Sequence, residues 1–403
     1  MLRDTRVLVD LDVVEDNLAE LAAFLDATAP AGAARPRIAA VLKADAYGHG
    51  ALRVAECLLG RGVDLLAVSC LTEALELRRR LPEVDLLVMG HTPESGFREL
   101  LRNRITCTIY DEFQAAALSR AALAEGRKAV VHVKIDSGMN RLGIKTGPGA
   151  LATLKAIASL RGLETEGIFT HLALESEASD RAQFARFSAL VDEAAAIGLR
   201  FRYRHVCDSI GLARYPEFRL DLVRPGAILY GVVPKTAPLL ASRKFGLPLS
   251  FRSRITRLRR LEQGEGVGYD YTWKAPAAGA LVATVAAGYA DGYPRCLSNV
   301  GEVLLRGRRA PVVGLVCMDQ LNIDASAVPG AAEGDEVILF GAGPGADIDS
   351  GIPLLETAFR AGTNRNELLV SISRRVPRVY HRSGRPVGHV EYLLGEESRD
   401  DRG

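Results

Sequence analysis

Eight short, almost continuously apolar runs alternate with amphipathic helical stretches between about residues 12 and 230. This alternation constrains the fold more than any other feature of the chain. The runs fall at 38–43, 65–69, 85–90, 105–109, 129–136, 165–171, 203–208 and 221–225. A strand with one wet face alternates in polarity, whereas runs that are apolar throughout belong to a parallel sheet covered on both faces. The stretches between them, such as VVEDNLAELAAFL and LTEALELRRRL, carry apolar residues at helical spacing with Asp or Thr near their starts as caps. Eight such units close best as an α/β fold of the (β/α)8 TIM-like barrel type, whose functional face lies at the C-terminal ends of the strands. Polar residues collect at those ends: Lys43, Asp136, His171, Asp208, Ser209 and Arg224.

After Tyr230 the texture changes. A proline-containing passage leads into alternating strands joined by Gly-rich turns, as in SFRSRITRLRRL, GALVATVAAGY and GDEVILFG. That pattern predicts a mostly antiparallel C-terminal β-domain. With 403 residues the chain is too long for one ordinary core, and we expect a barrel over 1–240 and a β-domain over 241–403. Residues 1–11 are candidates for pairing with the β-domain, and the charged tail GEESRDDRG is expected to be disordered.

Composition narrows the function. The formal net charge is +2 and no basic run forms a nucleic-acid or membrane patch; RLRRL, from Arg257, reads as the wet face of a strand. No apolar stretch reaches the roughly 18 residues of a membrane span, and the N-terminus has no signal-peptide pattern. Six cysteines without a C-x-x-C pair indicate a reducing, cytoplasmic setting, and seven scattered histidines predict no protein-bound metal. One stretch raises a question of its own. AVLKADAYGHG, Ala40 to Gly50, ends a core strand on Lys43. A buried ammonium is costly unless paired or neutralised. Lys43 either snorkels from the strand end or is kept as a nucleophilic amine, and the stretch alone leaves both open.

KADAYGHG (43–50), VKIDSGMNRLGI (133–144), FTHLA (169–173), HVCDS (205–209), VRPGAILYG (223–231), GVGYDYTW (266–273), AGYADGYPR (287–295), VCMDQ (316–320) and RRVPRVY (374–380) occur in this order. Together they resemble the alanine racemase family, pyridoxal-phosphate enzymes built from a barrel and a β-domain. The resemblance covers nearly the whole chain. It implies pyridoxal 5'-phosphate as cofactor and racemisation of L- and D-alanine by two opposed bases, in support of D-alanine supply for the cell wall. Lys43 matches the lysine that holds the cofactor covalently and acts as one base; Tyr269 matches the other, donated by the partner subunit of a homodimer. Tyr47, Ser209, Gly226 and Ala227 match phosphate contacts. Arg224 matches the arginine facing the pyridine nitrogen, with His171 and His205 beside it. A guanidinium gives up its proton reluctantly, so that nitrogen stays unprotonated and quick reprotonation at Cα is favoured over transamination. Arg141 and the Met318 backbone match substrate-binding positions, Tyr289 a tyrosine constricting the channel, and Asp319 a supporting residue. Lys134 matches a lysine that is carbamylated in many relatives.

The chain departs from the family pattern at three places. Leu315 stands where many relatives carry an arginine, and Ser176 stands for its acidic partner, which implies a differently closed outer gate. Asn366, in GTNRNELL, replaces a tyrosine near the phosphate and the substrate side chain. A shorter amide enlarges the pocket, and the exchange resembles serine racemases, so a serine or broader-specificity racemase is the alternative. A decarboxylase of the same plan would need a carboxylate at the pyridine nitrogen and a glycine triplet, and a metal-dependent aldolase a metal cluster. A non-catalytic pyridoxal-phosphate carrier would lack the β-domain and Tyr269.

Overall fold

The computed structural model describes residues 2–63, 65–233, 238–240, 243–341 and 351–399. Its first strand, β1 (Arg6–Asp10), ends on Asp10, whose carboxylate accepts from the amides of Asp12 and Val13 and caps the helix Leu11–Ala27. Leu11, Val14, Leu18, Leu21 and Leu25 recur along that helix at helical spacing and enter the core.

The expected barrel follows. Its strands are β2 (Arg37–Val41), β3 (Leu65–Val68), β4 (Asp85–Val88), β5 (Thr106–Ile109) and β6 (Ala129–Asp136). A two-residue β7 (Ile144–Lys145) lies on β6, and β8 (Leu163–Phe169), β9 (Tyr203–His205) and β10 (Leu222–Val223) complete the set. Pairing is parallel in the order β10-β2-β3-β4-β5-β6-β8-β9. Two backbone hydrogen bonds beside β9 and β10, Asp221 N to Arg204 O (3.1 Å) and Arg224 N to Cys207 O (2.9 Å), bring the ends of this sheet together. The result is a nearly closed TIM-like barrel.

The second half carries β11 (Leu249–Leu261), β12 (Gly266–Val267), β13 (Trp273–Lys274), β14 (Ala280–Val285), β15 (Glu302–Leu305), β16 (Arg308–Pro311) and β17 (Leu321–Asp324). It ends with β18 (Glu336–Gly341), β19 (Arg378–Arg382), β20 (Arg385–Glu391) and β21 (Glu396–Arg399). The main sheet runs β16-β15-β18-β11-β1-β19-β20-β21, with β14 added to β11 and β17 to β14. The N-terminal strand β1 sits inside it, antiparallel to β11 and parallel to β19.

The structure differs from expectation at the tail. Glu396–Arg399 form β21, hydrogen-bonded antiparallel to β20. Backbone pairing at a sheet edge needs no apolar side chains, so the charged composition did not preclude a strand; residues 400–403 lie outside the described residues. The expected boundary after 240 adjoins residues 241–242, which also lie outside them. Two short helices, Leu354–Arg360 and Arg365–Val370, interrupt the β pattern, the second capped by Asn364 Oδ1 accepting from Glu367 N at 3.0 Å.

Arg378 locks the second half onto the barrel. Fully buried, its guanidinium donates to the carbonyls of Gly48 (3.0 Å), Ile372 (2.9 Å), Ser373 (2.7 Å) and Val376 (2.6 Å). Arg378→Met would strand these acceptors and should cost about 3–5 kcal/mol. The urea unfolding midpoint should fall accordingly, with Arg378→Lys less affected; an unchanged midpoint for the Met variant would show that the clamp contributes nothing.

Candidate active site

A cavity of about 400 Å³ opens at the C-terminal ends of the barrel strands. Ten sequence candidates line it: Lys43, Tyr47, Lys134, Arg141, His171, Ser209, Arg224, Gly226, Ala227 and Asn366. His205 lies directly behind Arg224, fully buried. A larger cavity of about 520 Å³, lined by Glu15, Arg37 and Arg61 among others, sits at the start of β2, the other end from Lys43, and holds no candidate residue.

β2 delivers Lys43 into a turn that L-residues avoid. Ala44, Asp45, Ala46 and Tyr47 all have left-handed φ, at 53°, 56°, 53° and 54°, a conformation costing about 1–2 kcal/mol per residue. Side chains from elsewhere hold it open. Glu73 accepts from Ala44 N at 2.7 Å, and Asp45 accepts from Ala51 N at 2.8 Å and from the Tyr392 hydroxyl at 2.6 Å. Arg378 grips the next carbonyl, Gly48. The turn aims Tyr47 back under Lys43, whose Nζ lies 5.9 Å from the phenol ring centre.

Four cations and a single carboxylate line the cavity: Lys43, Lys134, Arg141 and Arg224, with Asp208. Asp208 already accepts from the amides of Ile210 (3.0 Å) and Gly211 (2.8 Å). Burial and then the Arg141 charge lower the Lys43 pKa. Burial, Arg224 and Arg141 take Lys134 down to about 7. His171 falls to about 2 through burial and the same cations, so its ring is neutral. Arg224, pulled to about 10 chiefly by burial, stays a cation. Phe169, which FTHLA contains without suggesting a role, floors this cluster. Lys134 Nζ and Arg224 Cζ lie 5.1 Å and 5.4 Å from its ring centre, and it stacks on His205 at 4.6 Å.

At one wall Ser209 Oγ accepts from the amides of Gly226 (2.9 Å) and Ile228 (3.3 Å). A Cβ on Gly226 would lie 2.6 Å from the Tyr47 hydroxyl, so only glycine lets phenol and backbone share that wall. Asn366 enters on the first turn of the helix Arg365–Val370, which sequence reasoning missed although the Asn364-x-x-Glu367 spacing could have marked its start.

The remaining candidates lie outside this cavity. Tyr269, Tyr289 and Met318 are exposed on the β-domain, at 68%, 40% and 53%. The loops of Tyr289 and Met318 are built together: Tyr289 N and Ala290 N donate to Cys317 O (3.0 Å) and Met318 O (2.9 Å), while Asp319 pairs with Arg375 at 2.7 Å. Leu315 is half-buried nearby, and Ser176 caps the helix Glu177–Ala196 by accepting from Ser179 N.

Residues 9–234 match the model of the alanine racemase N-terminal domain, and residues 248–380 that of its C-terminal domain. The chain belongs to the alanine racemase family. Among its relatives, the alanine racemase of Desulfosudis oleivorans is 40% identical over 383 residues, covering 92% of this chain and 95% of that one. That of Sorangium cellulosum is 40% identical over 94% of this chain and 99% of its own. The alanine racemase structure from Clostridium difficile 630 superposes with a TM-score of 0.90 at 33% identity, covering 98% and 100% of the two chains. A Bacillus anthracis alanine racemase structure with bound L-Ala-P gives 0.88 at 31%, covering 98% and 99%.

The cation cluster of this alanine racemase family member makes a pH prediction. Lys134 has a folded pKa of about 7 against 10.5 in the unfolded chain. The unfolded state therefore binds more protons between those values, and stability rises with pH across that window. In CO2-free buffer the ligand-free protein should gain up to about 1.4 kcal/mol per pH unit from this group. Lys134→Met should flatten that part of the slope; an identical slope in the variant would show that Lys134 is not the group responsible.

Proposed function

We propose that this chain racemises alanine with pyridoxal 5'-phosphate, and that the observation carrying the reading is the cationic cavity built around Lys43. Four cations with one already engaged carboxylate suit an anionic occupant. The Ser209–Gly226–Tyr47 wall fits a phosphate, offering phenol, hydroxyl and backbone where a methyl has no room. Lys43 would hold the cofactor through its amine, Arg224 would face the ring nitrogen as a donor, and Arg141 would meet the substrate carboxylate. When bound, pyridoxal phosphate withdraws electrons from the substrate Cα and acidifies its proton.

The residues do the rest. A lowered pKa keeps more of the Lys43 amine neutral, the form that accepts a proton from Cα. Racemisation returns a proton on the opposite face, which a single amine cannot conveniently reach. We assign that step to the Tyr269 phenol of a second copy, because Tyr269 is exposed and does not line its own chain's cavity. The Met318 backbone and Tyr289 ride on the same exposed β-domain face and would close the partner's site in a head-to-tail homodimer. Lys134, with an amine poised near neutrality, is suited to carbamylation, which would set an anion between Arg141 and Arg224. Bicarbonate should then flatten the part of the ligand-free protein's pH slope that Lys134 contributes. Six free cysteines fit a cytoplasmic location.

Shared sites are tested by complementation. Lys43→Ala and Tyr269→Phe should each be nearly inactive alone. After mixing under conditions that exchange subunits, hybrid dimers hold one intact site, and statistical pairing should recover about a quarter of wild-type activity. No recovery despite verified hybrids would sink the shared-site assignment.

The serine alternative is not favoured by the relatives, which are named for alanine. Asn366 nevertheless lines the cavity and can set a minor tolerance for serine. Asn366→Tyr should lower kcat/KM for serine relative to alanine by about tenfold; an unchanged ratio would remove Asn366 from substrate selection.

A further inference from the structure

Behind Arg224 lies a chain of buried rings that the proposed reaction does not itself use. Arg224 NH1 donates to His205 Nδ1 at 2.7 Å, and NH2 donates to the carbonyls of Val206 (2.8 Å) and Thr170 (3.0 Å). His205 Nε2 lies 2.8 Å from His132 Nδ1, and His132 Nε2 lies 3.5 Å from Glu166 Oε2. Both imidazoles are buried, and Glu166 is half-buried, held by Arg202 at 3.0 Å. The rings have little freedom. His205 is stacked flat on Phe169, and a Cβ on Gly167 would lie 2.6 Å from the His132 ring.

The two ends of this chain determine where every proton sits. A guanidinium only donates and an ionised carboxylate only accepts. His205 Nδ1 must therefore be bare, so the neutral ring carries its proton on Nε2 and donates to His132 Nδ1. His132 in turn carries its proton on Nε2 and donates to Glu166. Burial and the Arg224 charge oppose a second proton on His205, and burial opposes one on His132. The geometry points to Glu166 and His132 as positioning residues that fix the His205 tautomer and so hold Arg224 as a donor aimed into the cavity. Neither touches the cavity. The tautomers follow from the chain alone, while their consequence for catalysis rests on the proposed racemase reading.

Replacing the terminal acceptor by a donor frustrates the chain. With Glu166→Lys both ends donate, so either the His132 proton moves and two N–H groups face each other, or the lysine turns away and His132 Nε2–H loses its acceptor; both change the His132 ring. Glu166→Gln keeps an amide oxygen that accepts from His132 and should preserve the order. In holoenzyme labelled with 15N in its histidine rings, solid-state spectra should show Nε2–H with bare Nδ1 for both His132 and His205. A His205 proton on Nδ1 in the wild type would overturn the inference, whatever the racemase assay gives. Glu166→Lys should change the His132 or His205 pattern and lower kcat about tenfold, the low end of the effect of removing an outer partner from a ligand histidine. Its KM should stay within about twofold, since substrate contacts are untouched. Glu166→Gln should keep the wild-type spectrum and rate. A Glu166→Lys enzyme with wild-type spectrum and kcat would also overturn the inference. An inactive wild type with the expected spectrum would instead refute the racemase reading and leave the tautomers standing.

Discussion

Lys43, Lys134, Arg141 and Arg224 share one sheltered cavity in which a single carboxylate, already hydrogen-bonded elsewhere, offers little compensation. Like charges at low dielectric repel strongly, and desolvation adds to the cost of each. The protein meets this in two ways. The lysines give ground by losing affinity for their protons, and the arginine that cannot is wrapped in carbonyls and a neutral imidazole. On the proposed reading, the remaining imbalance is available to the phosphate and carboxylate of the occupants. Binding energy for an anion is thus built into the fold as the unfavourable self-energy of these cations, which a negative charge would relieve.

A second cost sits next to the first. Four consecutive left-handed residues follow Lys43, and none of them is glycine. Their conformation is sustained by Glu73 from the barrel and by Tyr392 and Arg378 from the second half. The β-domain therefore does more than carry Tyr269. It braces the turn that follows Lys43, and β1, inserted between β11 and β19, ties the chain's start into the same sheet. The two halves are thus coupled at a strained turn next to the lysine.

The barrel was legible because its strands are apolar on both faces, a pattern that leaves few alternatives to a covered parallel sheet. Lys43 and Arg224 were legible as polar residues ending such strands, whereas Lys134 and Arg141 stood out only through the family resemblance. Other features had no local signal. Nothing in KADAY announces a left-handed turn, since its conformation is imposed by residues such as Tyr392 and Arg378, more than 300 positions away. β21 was hidden because an edge strand needs only backbone partners. Glu166 and His132 were passed over because their role is relational: a carboxylate and an imidazole acquire direction only once Arg224 is known to stand at the far end.

That relational character explains how two scales of order meet in one site. On the proposed reading, the face of the cofactor opposite Lys43 is supplied by another copy through Tyr269, so half the chemistry is absent from any one chain. Such a site works only if the resident half is rigid before the partner arrives, because a dimer interface can position a phenol but cannot also correct a misdirected guanidinium. The stacked His205, the crowded Gly167–His132 contact and the wall shared by Tyr47 and Gly226 each remove a degree of freedom within the chain. Exposed Tyr269, Tyr289 and Met318 then face outward on loops hydrogen-bonded to one another or paired across a short β-ribbon. Preorganisation inside each chain and complementarity between chains are separate requirements, and on the proposed reading the β-domain serves both, by bracing the turn after Lys43 and by presenting Tyr269.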